Sequence, residues 1–289
     1  MTQATPVDNQ RGAALLVAAA AVFTADVAVL RYLSPEVPFG QIIFFRSLSQ
    51  LLIVALWIGM RPGLSYRSPR WRMLVLRGLT SLVCWWLYYA SFQALELALA
   101  STLTFTTSLF VVVMAPFVLG ERIGWKRGLT TFFGFGGVVL TSGGVGLRVE
   151  PGVLLGLGSA FAAAILIFQN RVLARTERTA TIMFWIGLVA TLGTAPGAAL
   201  GWTTLSLPDL AILALAGTLA TLGMLLTVEA YRFGEVSALA PFPYARILFA
   251  LAAGYFLFSE TIATTELLGA GVIVLCGLLA NERRRLAPL

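Results

Sequence analysis

The chain is 289 residues long, 58% hydrophobic and only 11% charged, with a formal charge of +7 and no histidine. A soluble domain carries roughly a quarter of its residues as charges, so this composition identifies a polytopic membrane protein. The lack of histidine excludes imidazole acid–base catalysis, haem ligation and most zinc sites, and the two cysteines, Cys84 and Cys276, fall inside apolar runs that support neither a disulfide framework nor a metal site.

A hydrocarbon core of about 30 Å needs about 20 apolar residues per helix. Ten runs meet that need, at 12–31, 39–59, 72–92, 99–119, 128–146, 152–171, 180–200, 210–230, 236–258 and 264–281, and predict an all-α integral membrane protein with ten transmembrane helices. None shows the two-residue alternation of a lipid-spanning barrel. The first run, after Arg11, has the small residues Ala19-Ala20-Ala21 of a cleavable signal. Its match to the sixth run retains it as span one. Asp26 lies five residues from the end of span one and Arg46 seven residues into span two, about 8 and 10 Å deep from the same side at about 1.5 Å per residue. Each is unfavourable in the bilayer by at least about 2.5 kcal/mol when alone. Their matching depth on consecutive spans predicts an ion pair, either a structural lock or a gate.

Span three carries Trp85, Trp86, Tyr88, Tyr89 and Phe92 in one half, denser than an interfacial aromatic belt requires. Span four presents Ser101, Thr102, Thr104, Thr106, Thr107 and Ser108 within two turns, a polar face that suits helix packing or a cavity wall. Glycines 128, 134, 136 and 137 of span five and 269, 271 and 277 of span ten suit close helix contact. Arg77 and Glu229 lie close enough to one face for their side chains to snorkel to the interface. Pro116 and Pro196 predict kinks near span ends. Pro241 and Pro243 are different, because they break span nine just before Tyr244 and Arg246. Arg246 is about 15 Å from either surface, and no acidic residue of spans three to ten shares its depth. Such a guanidinium predicts a watery cavity in which its fork binds a carboxylate, with structural pairing as the competing role. Glu96, Glu121, Glu235 and Glu260 read as helix termination and loop solvation.

The chain also reads as written twice. Aligning Gly12 with Gly152 pairs Leu15 with Leu155, Arg31 with Arg171, Leu33 with Leu173 and Phe44 with Phe184. An odd number of spans per copy makes the copies point in opposite directions. With the N-terminus in the cytoplasm, fifteen Lys and Arg fall in inner loops and tails against Arg31 and Arg148 outside, which places both termini inside and explains the basic charge without nucleic acid. The predicted organisation is a cytoplasmic tail at 1–11, a five-helix repeat at 12–147, an inverted five-helix repeat at 152–281 and a basic cytoplasmic tail at 282–289. No P-loop or dinucleotide fingerprint is present, so no cofactor is implied.

The two five-span halves, Phe44-Phe45-Arg46, Tyr88-Tyr89-Ala90, and the Glu121 and Glu260 span endings with their glycine-rich successors together resemble the drug/metabolite transporter superfamily, specifically its EamA-type ten-span members. The resemblance implies a secondary transporter of the bacterial inner membrane, with spans one to four and six to nine around a central cavity. The aromatic pocket is similar to that of bacterial amino-acid exporters, including those for aromatic amino acids. Two departures limit the symmetry: Pro241 and Pro243 have no counterparts in span four, and Arg46 falls opposite Ile186. The expectation is export of amino acids or similar small metabolites by alternating access, with no catalytic residues. Arg246, Tyr244, Trp85, Trp86, Tyr88, Tyr89, Thr102 and Thr106 would contact the substrate, and Asp26 with Arg46 would form the gate or structural pair. The partners are then a small-molecule substrate and the lipid bilayer. Nucleotide-sugars or phosphorylated metabolites remain an alternative substrate class, and a membrane-embedded lipid enzyme an alternative of another kind. The sequence leaves the oligomeric state open.

Overall fold

The computed structural model describes residues 7–95, 102–121, 124–141, 150–259 and 261–280, and among them every regular element is helical. In chain order these are α1 (Asn9–Leu30), α2 (Phe39–Met60), α3 (Trp71–Ala94), α4 (Thr102–Leu119), α5 (Trp125–Thr141), α6 (Pro151–Thr176), α7 (Thr179–Leu200), α8 (Leu207–Phe233), α9 (Val236–Phe258) and α10 (Thr264–Ala280). Seven of them, α1, α2, α4, α6, α7, α8 and α9, are long and apolar enough to cross a membrane. The chain is therefore a multi-pass membrane protein. α3 has comparable length with Arg72 and Arg77 in its first two turns, and α5 and α10 have 17 residues each.

Local chemistry sets several boundaries. The Asp8 side chain accepts the Arg11 N–H at 3.0 Å and caps α1. Pro151 opens α6 in the first turn, where its missing N–H has no intrahelical role. Gly120 closes α4 with φ +65°, a left-handed conformation that glycine adopts without steric cost. α9 is the exception to continuity. It consists of a short turn at Val236–Leu239, a 3-10 turn at Phe242–Tyr244 and a longer segment at Ala245–Phe258. Pro241 and Pro243 supply no backbone N–H at the break.

The main packing runs between the two parts of the chain. The principal pairs are α1 with α8, α2 with α7, α3 with α6, and α5 with α10. All four are antiparallel. Gly12 abuts Ala230 and Gly234 while Phe23 abuts Gly223, and Gly40 abuts Gly197 while Leu51 abuts Gly187. Arg77 meets Asn170 while Ser91 meets Gly152, and Gly134 faces Cys276 while Gly137 faces Gly269. Exchanging α1–α5 for α6–α10 in order leaves this set of partners unchanged. Where α2 meets α7 and α5 meets α10, a Cβ on Gly40 or Gly137 would stand 2.9 or 2.8 Å from a facing carbonyl oxygen. Small residues thus allow backbone contact where lipid supplies no hydrophobic drive.

A buried core lies toward the end of the bundle where α1 begins. Leu16, Val111, Ala115, Phe168, Tyr231 and Leu239 form a buried cluster across α1, α4, α6, α8 and α9. A polar layer borders it. The two Glu121 oxygens accept the N–H groups of Val236 at 3.0 Å and Ser237 at 2.9 Å. Arg127 pairs with Glu235 at 2.6 Å and donates to the Ser237 hydroxyl at 3.0 Å. The Glu235 N–H donates to Asn9 at 2.8 Å, and Arg171 donates to the carbonyls of Tyr231 and Arg232 at 2.6 and 2.8 Å. Helix termination and solvation, expected from sequence for Glu121 and Glu235, understate their part: they fasten α4, α5 and α1 to the start of α9. Removing the Glu121 carboxylate by Glu121→Ala should weaken this fastening by about 1.5–3 kcal/mol, as for hydrogen bonds to a charged group. Amide hydrogen exchange at Val236 and Ser237 should accelerate at least about tenfold.

Candidate substrate site

Three ionisable groups from three helices, Asp26 on α1, Arg46 on α2 and Arg246 on α9, come within mutual electrostatic reach, and Tyr88 on α3 comes within reach of Arg246. Asp26 is fully buried, and its Oδ2 forms an ion pair with Arg46 Nη2. The pair is one-pronged. Asp26 Oδ1 and Arg46 Nε are both buried without a hydrogen-bond partner among the described residues, although a carboxylate and a guanidinium can pair through two parallel bonds. The Arg46 side chain keeps 30% of its surface exposed, against 1% for Asp26, so the open face of the pair is cationic.

Glycines on α8 set these positions. A Cβ on Gly217 would lie 2.5 Å from Ser49 and 3.5 Å from the Arg46 Cα, so its absence lets α2 approach at the residue that carries the guanidinium. Gly223 likewise accommodates the Phe23 ring, which a Cβ would meet at 2.8 Å. That ring faces the Arg246 guanidinium at 5.9 Å, a cation–π distance. Arg246 itself is exposed despite its mid-span position, and no carboxylate lies within 4.0 Å of it among the described residues.

The remaining candidates divide. Tyr88 is half-buried in this group. Tyr244 points away from it, fully buried against α5. Its hydroxyl donates to the Thr131 carbonyl at 3.3 Å, and its ring packs on Phe105, Gly134, Val138 and Ile273. Two residues of separation place Tyr244 and Arg246 on nearly opposite sides of a helix. Tyr244 therefore anchors α9 to α5 and is not a cavity wall in this conformation. Trp85 and Trp86 line a separate cavity of about 250 Å³ between α2, α3 and α7, with Phe39, Ile43 and Thr194. Neither Asp26, Arg46 nor Arg246 borders that space.

Thr102 and Thr106 are buried. The Thr106 hydroxyl donates to the Leu103 carbonyl at 2.6 Å and that of Thr107 to Thr104 at 2.6 Å, so both donors are spent on their own helix. The side chain of Tyr89, and residues Glu96, Ser101 and Glu260, lie outside the described residues. Arg77 does not snorkel. It is 2% exposed, and its Nε donates to Asn170 Oδ1 at 2.9 Å with Nη1 on the Ser81 hydroxyl.

Sequence reasoning passed over Phe23, Gly217, Gly223 and Arg127. For Arg127 a signal existed, since the same loop count that puts Glu121 and Glu235 on one side puts Arg127 there too. For Gly217 and Gly223 there was none, because glycine in a span is common and its partner lies in another part of the chain.

A buried ion pair with unmade bonds, beside an accessible mid-span guanidinium, is an arrangement that can bind a charged solute inside a helical bundle. The EamA-like transporter family model matches residues 10–143 and again 150–281. The chain belongs to the EamA-like transporter family. It is accordingly a membrane transporter, not an enzyme. Among curated EamA-like relatives, the S-adenosylmethionine uptake transporter of Rickettsia bellii is 26% identical over 253 residues, covering 87% of this chain and 86% of that one. The pseudopaline exporter CntI of Pseudomonas aeruginosa is 26% identical over 285 residues, covering 95% and 96%. A solved crystal structure superposes with a TM-score of 0.74 over 94% of this chain and 96% of that one at 18% identity, a likeness of fold.

Proposed function

We propose that this EamA-like protein is a ten-span secondary transporter of the bacterial inner membrane that exports amino acids, aromatic ones among them, or similar small metabolites by alternating access. Its scaffold is two inverted five-helix repeats, 12–147 and 152–281, with both terminal tails cytoplasmic. The exchange-symmetric, antiparallel helix pairs and the twofold family match support the repeats. The inner excess of Lys and Arg supports the orientation. Inverted halves rocking about a midplane site are a general architecture for such carriers.

The observation that carries the substrate class is Arg246, a mid-span guanidinium that is accessible and has no carboxylate partner among the described residues. In this reading it holds the substrate carboxylate, Tyr88 stands beside it, and the Trp85–Trp86 cavity flanks the route for apolar side chains. Phosphorylated solutes fit less well. A phosphomonoester carries about −1.5 to −2 charges, whereas the second guanidinium, Arg46, is already engaged by Asp26. Purified protein in proteoliposomes should move labelled amino acids and be inhibited by unlabelled ones, with sugar phosphates ineffective at equal concentration. The opposite order of inhibition would replace the amino-acid reading with the phosphorylated one.

A further inference from the structure

We propose that Asp26 is the ammonium subsite of the carrier, so that its substrates are zwitterions presenting a carboxylate to Arg246 and a cationic donor to Asp26 Oδ1. The inference rests on the amino-acid reading above and specifies which part of the substrate each side recognises. A buried carboxylate oxygen without a donor is rare in folded proteins and marks a place where a partner is still to come. Asp26 Oδ1 is such an atom, on a side chain 1% exposed. Its sister oxygen already holds Arg46, and Oδ1 remains without a donor among the described residues. An ammonium group with three donors fills that position without breaking the Asp26–Arg46 pair.

The groups facing Asp26 carry one positive charge in excess, so an ammonium is accommodated there only with the carboxylate of its own molecule. Arg46 comes from α2 and Arg246 from α9, with Tyr88 of α3 beside Arg246. α8, the main neighbour of α1, contributes no ionisable side chain between Asp209 and Glu229. Two cations are thus set against one anion. Arg46 is committed to the anion, while Arg246 lies over the Phe23 ring with no ion pair among the described residues. Phe23 precedes Asp26 by three residues on α1, hence on the same helix face. A ligand with only one of the two groups completes only half of the site.

The test uses wild-type protein in proteoliposomes, with counterflow of labelled phenylalanine and competition by unlabelled phenylalanine, 3-phenylpropionate and phenethylamine. Loss of either charged group should weaken competition about 10- to 100-fold, the effect of removing a charge-assisted hydrogen bond. Competition by 3-phenylpropionate within about twofold of phenylalanine overturns the ammonium subsite while leaving amino-acid transport standing. Absence of labelled phenylalanine counterflow, with no inhibition by other amino acids of whatever transport is found, overturns both readings together. In Asp26→Asn the preference for phenylalanine over 3-phenylpropionate should collapse. A purely structural Asp26 would lower activity toward both ligands alike and keep their ratio, which overturns the assignment.

Discussion

Arg246→Ala is expected to reduce transport about 100-fold while the protein is still recovered folded. The reduction follows from losing a guanidinium that binds a carboxylate through charge-assisted bonds. The preserved fold follows from how little Arg246 does for the resting structure. It is exposed, has no ion pair among the described residues, and contributes one cation–π contact with Phe23, worth about 0.5–1 kcal/mol at an accessible site. Arg246→Lys should fall between, because an ammonium keeps the charge and loses the planar fork. Initial rates in proteoliposomes, normalised to monodisperse protein, measure both variants. Wild-type rates in Arg246→Ala would remove Arg246 from the substrate path.

The second large effect is an asymmetry of stability across the Asp26–Arg46 pair. Arg46→Ala leaves the enclosed Asp26 carboxylate without its close partner, a loss of about 3–5 kcal/mol for a broken buried pair. Asp26→Ala leaves an arginine with 30% of its side chain already exposed, which can turn to water. Its expected loss is nearer 1 kcal/mol, the scale of an exposed pair. Thermal unfolding in detergent should place Arg46→Ala well below Asp26→Ala. Equal losses would mean that both charges are equally enclosed and that the cationic face of the pair is not open.

The axial coordinate of this molecule was readable from the sequence; the lateral one was not. Hydropathy gives the depth of each residue along its helix, and matching depths bring Asp26 and Arg46 to one level, where their side chains meet. The break in α9 was equally legible, because Pro241 and Pro243 each remove a donor from the same turn. Rotation about the helix axis was harder. Tyr244 and Arg246 follow the same proline break and are expected in one pocket, but a two-residue step sends them to opposite sides. Arg77 shows the same limit. Its buried environment depends on Asn170, 93 residues later on a neighbouring helix, and depth alone does not reveal that neighbour. The polar layer of Glu121, Arg127 and Glu235 required knowing which helix ends converge, a property of the assembled bundle.

The cross-paired helices have a consequence for how the molecule is made. α1, α2, α3 and α5 each find their main partner among helices emerging later from the ribosome. The first five helices therefore enter the bilayer with the seams of Gly12, Gly40 and Gly137 facing lipid or transient neighbours. Individual helices can be stable there on hydrophobicity alone, since their backbones are satisfied internally. Assembly must wait for α6 to α10. The principal helix pairs all run between the halves, so a chain interrupted in its second half leaves a set of inserted helices and not a smaller working carrier.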